Sequence, residues 1–278
     1  MVDNANIAEA VYAAIREAAV SLRSDVSAAF ATAAETEPSP RGRSVLLQLV
    51  DNARVARTDG VPVCQDTGSV WVRVEFGPDV CPDAGLLSEI DAAVATAYRD
   101  GALRMSVVRD ALTDRTNTGD NTPAFVDLVP RAEAGARVDV MLKGGGSDNA
   151  SVVAMLDPSA GVAGVRETVL AVVRAKAASA CPPLLIGVGV GSTFDRVAGL
   201  AKHALLRAVG EPGDPAVEAL ERELLEAVNA TGIGPAGLGG RTTALAVHVE
   251  TAPCHIAALP VAVNLGCCAV RSASVELA

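Results

Sequence analysis

Cys64-Gln65-Asp66-Thr67-Gly68 runs directly into Ser69-Val70-Trp71-Val72-Arg73-Val74-Glu75-Phe76, and the second part of that stretch alternates strictly. Val70, Val72, Val74 and Phe76 fall on one face and Ser69, Trp71, Arg73 and Glu75 on the other, the period of a half-buried strand. The five residues before it read as a turn that carries a thiol, an amide and a carboxylate on consecutive positions. An extended chain covers at most ~3.6 Å per residue, so whatever Cys64 binds lies within reach of Asp66. Taken alone, the same five residues describe equally well a strand entry with a small buried cysteine and an Asx-type turn.

Outward from this stretch, strands and helices mix. Upstream, Ile7, Val11, Ile15, Ala18 and Leu22 recur at three- and four-residue steps and predict one helix over residues 6–35. Ser39-Pro40 reads as an N-cap followed by proline at the first helical position, opening a second helix through Leu46, Leu49, Val50 and Ala53. Downstream, the pattern predicts helices at about 85–100, 162–177, 193–207 and 214–229 and strands at 138–142, 184–190, 243–249 and 256–263. Residues 115–123 are rich in turn formers and read as a loop. No repeat and no long linker is visible. The expected fold is mixed α/β, of α+β-like character, with mixed sheets flanked by helices and neither a Rossmann nor a TIM-barrel arrangement. A single domain over 1–278 is expected, helical to about residue 60 and α/β from about 61.

With 278 residues, half of them apolar, the chain can bury a large core. Its net charge of −10 argues against nucleic acid or an anionic membrane as the main partner, yet leaves room for a small anionic substrate in a local positive pocket. The polar, acidic start lacks the pattern of a secretory signal, and no apolar run approaches the ~18 residues of a membrane span. A cytoplasmic location is therefore expected. In a reducing compartment the six cysteines read as thiols, metal ligands or nucleophiles rather than as a disulfide framework.

Three glycine-rich segments follow predicted strands, at 143–147, 187–192 and 232–240, and the second is expected to open a helix. None has the spacing of a dinucleotide fingerprint or the lysine of a P-loop, so a nucleotide-binding reading lacks its key residues. The cysteines show no C-x-x-C spacing. Cys81 reads as a small buried residue or a surface thiol, and His203 and His248 read as packing or solvent-facing residues.

Taken together, seven stretches resemble the α-subunit of class I fumarases and L-tartrate dehydratases, the iron-sulfur hydro-lyases. They are Pro62-Val63-Cys64-Gln65-Asp66-Thr67-Gly68, Leu103-Arg104-Met105-Ser106-Val107-Val108, Asn117-Thr118-Gly119-Asp120-Asn121-Thr122-Pro123-Ala124, Lys143-Gly144-Gly145-Gly146-Ser147, Cys181-Pro182-Pro183 with Gly187-Val188-Gly189, Gly232-Ile233-Gly234 with Gly237-Leu238-Gly239-Gly240, and His255-Ile256-Ala257-Ala258-Leu259-Pro260-Val261-Ala262 leading to Cys267. They occur in family order across almost the whole chain.

The resemblance implies a [4Fe-4S] cluster held by Cys64, Cys181 and Cys267, with one iron left open to act on substrate as a Lewis acid. Adjacent Cys268 leaves the third ligand ambiguous by one residue, and the distance to His255 favours Cys267. It implies reversible addition or removal of water on a small dicarboxylate such as fumarate/malate, tartrate or a close analogue. Asp66 is the expected carboxylate that orders or accepts the proton, and His255 the group at the reacting end. Gln65, Arg104, Lys143, Gly144 and Gly145 are expected at the substrate, with a structural role as the alternative for Lys143 and for Arg271. The histidines that the resemblance leads one to expect at 268 and 272 are replaced here by Cys268 and Ser272. Single-chain relatives continue into a further domain, so a separate β-subunit is the expected partner, in an α2β2 assembly. The alternative from another class is a non-catalytic, redox-responsive iron-sulfur protein. Asp66, Arg104 and His255 weigh against it, since a sensor needs no substrate-binding groups.

Overall fold

Apolar side chains at helical and strand spacing need a partner surface, and in this chain they find it in two separate cores. The computed structural model describes residues 2–278. In chain order the elements of the first half are α1 (Asn4–Val20), α2 (Ser24–Thr36), α3 (Pro40–Asp59), β1 (Ser69–Phe76), α4 (Leu86–Asp100), β2 (Phe125–Pro130), β3 (Ala136–Lys143), the single turn α5 (Gly145–Asp148) and β4 (Val152–Leu156). The second half holds α6 (Gly161–Lys176), β5 (Leu184–Ser192), α7 (Val197–His203), α8 (Glu218–Asn229), β6 (Ala244–Cys254), β7 (Leu259–Gly266) and β8 (Arg271–Leu277). The result is the mixed α/β class expected, with two mixed sheets and no barrel. No helix among the described residues is long and apolar enough to cross a membrane.

One compact unit comprises residues up to Arg23, Asn52–Gly145 and Ala269–Ala278. Its sheet has the order β2-β1-β3-β8, with β1 parallel to β2 and antiparallel to β3, and β3 antiparallel to β8. Val70, Val72 and Val74 of β1 are fully buried against Ile7, Val11 and Ile15 of α1 and Ile90 and Val94 of α4. Asp3 caps α1 in a reciprocal box with Asn6, each side chain accepting from the other residue's backbone N–H.

The other unit comprises Ser24–Asp51 and Gly146–Cys268. Its sheet has the order β4-β7-β5-β6, with β5 parallel to β6 and antiparallel to β7, and β7 antiparallel to β4. Ile186 and Val188 of β5 and Val261 and Val263 of β7 form its centre, covered by Val169 and Val173 of α6 and by Leu224 and Val228 of α8.

The structure corrects three local expectations. Residues 6–35 form two helices rather than one, because Ser21 is extended and its N–H closes α1 on Glu17. Helix α1 serves the core of one unit and α2 belongs to the other, although no glycine or proline marks the break. Helix α8 starts at Glu218, since Asp214-Pro215 opens only a turn ahead of it. The segment 187–192 lies inside strand β5 and opens no helix. A Cβ at Gly187 would collide with the carbonyl oxygen of Ala201, and one at Gly189 would stand 2.5 Å from that of Val197, so these glycines let α7 lie directly on the sheet.

A fourth finding is a repeat that the sequence hides. Setting aside α2, α3 and α7, with the single turn α5, the chain runs helix-strand-helix-strand-strand-strand twice, as α1-β1-α4-β2-β3-β4 and then α6-β5-α8-β6-β7-β8. Each sheet has a parallel edge pair followed by two antiparallel neighbours, and the last strand of each repeat completes the sheet begun by the other.

Gly187→Ala should therefore destabilise the chain by roughly 1–3 kcal/mol through overpacking. Gly199→Ala in α7, where an added Cβ meets nothing, should be neutral or stabilising by up to about 1 kcal/mol. Urea denaturation of both variants checks the pair.

Candidate active site

In the first unit the residue ahead of Cys64 is held at both backbone groups. Val63 N–H donates to Ala19 O at 2.9 Å, and its carbonyl accepts from Asn52 Nδ2 at 3.0 Å. Cys64 is partly exposed, with its Sγ 3.5 Å from Gln65 Oε1. Asp66 then joins two segments distant in sequence: Oδ1 accepts from Gly68 N at 3.1 Å, making the Asx-type turn, and Oδ2 accepts from Gly145 N at 2.9 Å. Gly68 has φ +78°, and a Cβ there would lie 2.6 Å from Lys143 O, so only glycine permits this approach to the end of β3.

Tyr98 supports the turn from inside the core, its hydroxyl 2.9 Å from the carbonyls of both Thr67 and Gly68. Burial pushes its phenol far above the ordinary range, against the pull of the Arg271 charge, so the hydroxyl remains a donor. Asn121, fully buried, accepts from Ser106 N at 2.7 Å and donates to Gly68 O at 3.2 Å. Thr67 Oγ1 donates to Arg104 O at 2.5 Å and Asn117 Nδ2 to Met105 O at 2.9 Å. The backbone around Arg104 is thereby fixed while its side chain stays exposed.

Lys143 is buried at the end of β3, and Gly145 is exposed. A Cβ on Gly144 would stand 3.2 Å from Asp66 Oδ2 and 3.6 Å from Arg271 Nη2, so carboxylate and guanidinium converge on one bare stretch of backbone. Arg271 is 1% exposed, its Nε donates to Ala269 O at 3.1 Å, and its Nη1 has no hydrogen-bond partner among the described residues.

In the second unit Cys181 adopts a left-handed conformation, φ 57° and ψ 69°. Its carbonyl accepts from Cys268 N at 2.9 Å, and that of Pro182 accepts from Ala236 N at 2.8 Å. The backbone at Cys181 thus meets the chain just past β7, where Cys267 and Cys268 are partly exposed. Ala236 lies in the third glycine-rich segment, which has positive φ at Gly234, Ala236, Gly237, Gly239 and Gly240. That segment ends on Glu37, which is 5% exposed. The Glu37 carboxylate accepts from the N–H groups of Ser39, Arg241 and Thr242 and from the Thr242 hydroxyl, at 2.8–3.1 Å. His255 sits in the exposed turn between β6 and β7, and its Nδ1 accepts from Ala257 N at 3.1 Å, which leaves the proton of the neutral ring on Nε2.

The family model described as fumarate hydratase (Fumerase) matches residues 8–276. The chain belongs to the fumarate hydratase family. It is 37% identical over 274 residues, covering 96% of each sequence, to a protein of Methanocaldococcus jannaschii named putative L(+)-tartrate dehydratase subunit alpha. It is 33% identical over 252 residues, 87% of this chain and 81% of the relative, to the L(+)-tartrate dehydratase subunit alpha of Escherichia coli strain UTI89. The K12 strain's protein of the same name is 33% identical over 246 residues, 85% and 79% of the two chains. The resemblance drawn from the motifs is thus confirmed, and this family member is a hydro-lyase.

Four of the seven motif stretches meet in the first unit of this fumarate hydratase fold, around Asp66. The three others meet in the second unit, with Cys181 beside the Cys267-Cys268 pair. Among the described residues no group of three or more His, Cys, Asp or Glu is gathered to hold a metal ion. The donor chemistry nevertheless fits an iron-sulfur group, because Cys64, Cys181, Cys267 and Cys268 are cysteines outside any disulfide, exposed or partly exposed. Cys81 is an exposed thiol outside these motifs.

Sequence reasoning missed Asn52, Tyr98, Asn121 and Glu37 as supports of the two turns. Only Asn121 lay in a recognised motif. Tyr98 occupies an ordinary core position of α4, and nothing adjacent to Glu37 or Asn52 marks their long-range partners.

Two measurements probe these supports. Tyr98→Phe removes the hydroxyl donor from the Thr67 carbonyl and leaves that of Gly68 with Asn121 alone, and should cost about 1–3 kcal/mol in urea denaturation. Burial opposes the Glu37 charge, but the bonds from Arg241, Thr242 and Ser39 outweigh it and hold the carboxyl below its usual range. A lowered folded-state value means that this stabilisation is complete above the unfolded carboxylate range and is lost as pH falls through the folded value. The denaturation midpoints of the parent and Glu37→Gln should differ at neutral pH and converge in acid.

Proposed function

We propose that the chain is the α-subunit of a cytoplasmic hydro-lyase that reversibly adds or removes water on a small dicarboxylate, fumarate/malate, tartrate or a close analogue. It works with a [4Fe-4S] cluster on Cys64, Cys181 and Cys267 and with a β-subunit, in an α2β2 assembly. The observation that carries this reading is the convergence of Asp66 and buried Arg271 on the backbone of Gly144 and Gly145. The names of the relatives, subunits alpha of L(+)-tartrate dehydratase, support the substrate class and the partner.

Bound at three thiolates, the cluster supplies an open iron, a Lewis acid that makes hydroxide a better leaving group. The other tasks fall to side chains and backbone. Asp66 is held by one N–H on each oxygen, and each oxygen retains a lone pair. An oriented carboxylate of this kind orders or accepts the proton on the carbon next to the departing oxygen. Gly144 keeps the space before it open, since any side chain there would crowd Asp66. Arg104 presents a planar guanidinium on a fixed backbone, suited to bidentate contact with a substrate carboxylate. Gln65 contributes a second exposed polar group, and Lys143 a buried cation at the end of β3. His255 offers its Nε2–H to the oxygen being added or lost.

Anaerobic reconstitution with the β-subunit tests this reading. Asp66→Asn should lower kcat about 100- to 10,000-fold with iron content unchanged. Cys64→Ser, Cys181→Ser and Cys267→Ser should each lose the cluster, and an intact cluster in Cys267→Ser would move that ligand to Cys268. Four irons per chain without turnover of any of these dicarboxylates would overturn the proposal.

A further inference from the structure

We infer that Glu37 is a positioning residue for Cys181, acting through the glycine-rich segment that ends at Thr242. Cys181 is a non-glycine residue in the left-handed region, a conformation that persists only where surrounding contacts determine it. Two contacts do so: the Cys268 N–H on its own carbonyl and the Ala236 N–H on the carbonyl of Pro182. Ala236 itself has φ 53°, a non-helical value inside the short 3-10 turn Pro235–Gly237. Its path is set at one end by Gly234 N–H on Thr243 Oγ1 at 3.0 Å, and at the other by Glu37.

Glu37 suits this task through charge and fit. Both carboxylate oxygens accept from Arg241 N–H and one accepts from both donors of Thr242. The backbone comes so close that a Cβ on Gly240 would lie 2.8 Å from Oε1, and one on Gly42 would lie 3.1 Å from Glu37 Cγ. Glutamine keeps the shape but turns one acceptor into a donor facing other donors. Release of this end frees Ala236, then Pro182, and with it the direction of the Cys181 thiol. The link to catalysis rests on the reading of Cys181 as a cluster ligand.

The test follows each cysteine of the metal-free full chain under anaerobic alkylation by iodoacetamide, read by mass spectrometry, and then iron bound after reconstitution. In Glu37→Gln the Cys181 rate should change about tenfold, the ratio set by a roughly 1.4 kcal/mol difference, while Cys81 stays at its parent rate and bound iron falls. Thr242→Val removes one of the bonds and should shift Cys181 in the same direction by a smaller factor. Parent-like Cys181 rates in folded Glu37→Gln would reduce Glu37 to a structural role and overturn the inference. Should Glu37→Gln fail to fold, Thr242→Val decides, and a parent-like Cys181 rate there overturns it as well. Full iron in Cys181→Ser would defeat the ligand reading alone, since the alkylation result does not depend on metal.

Discussion

A carboxylate shared between two backbone amides organises the first half of the site. Asp66 accepts from Gly68 within its own turn and from Gly145 across the sheet, so the turn before β1 and the turn after β3 cannot move independently. Irregular backbone beside a core carries polar groups that must be satisfied locally. Tyr98 and Asn121 do this from below by serving the carbonyls of Thr67 and Gly68. Polar groups of residues 104–106 and 117–121 are tied to the same place.

The second unit repeats the arrangement with other atoms. The segment before β5 again meets the segment after the third strand of its repeat, now through the Cys181 carbonyl and the Cys268 N–H. Cys64 and Cys181 each precede the first strand of a repeat, while Gly144-Gly145 and Cys267-Cys268 each follow the third. One topological location therefore carries a thiol twice, and its neighbour carries backbone amides in one repeat and thiols in the other. The two repeats present topologically similar strand ends, and different residues after their third strands divide substrate contact from metal ligation under the proposed reading.

The alternation of residues 69–76 was legible because β1 buries one face almost completely, whereas β2 is an exposed edge strand with no alternation to read. Residues 187–192 were expected to open a helix because close helix-on-strand packing and tight turns call for the same residue, glycine. The repeat stayed hidden because α2, α3 and α7 interrupt its spacing and its strand ends share little beyond one cysteine. In the site, Cys64 and Asp66 could be paired from sequence since two peptide steps join them. Glu37 and Thr242 could not, since they meet only through the fold.

The exchange of last strands bears on synthesis at the ribosome. All strands of the β4-β7-β5-β6 sheet have been synthesised by Gly266, ahead of the strand that completes the other sheet. The β2-β1-β3 ladder, although made earlier, waits with the outer edge of β3 unpaired until Arg271–Leu277 arrives. An open strand edge is a template for mispairing, and residues 136–143 carry that exposure for as long as it takes to synthesise more than a hundred further residues. The unit that begins first is finished last.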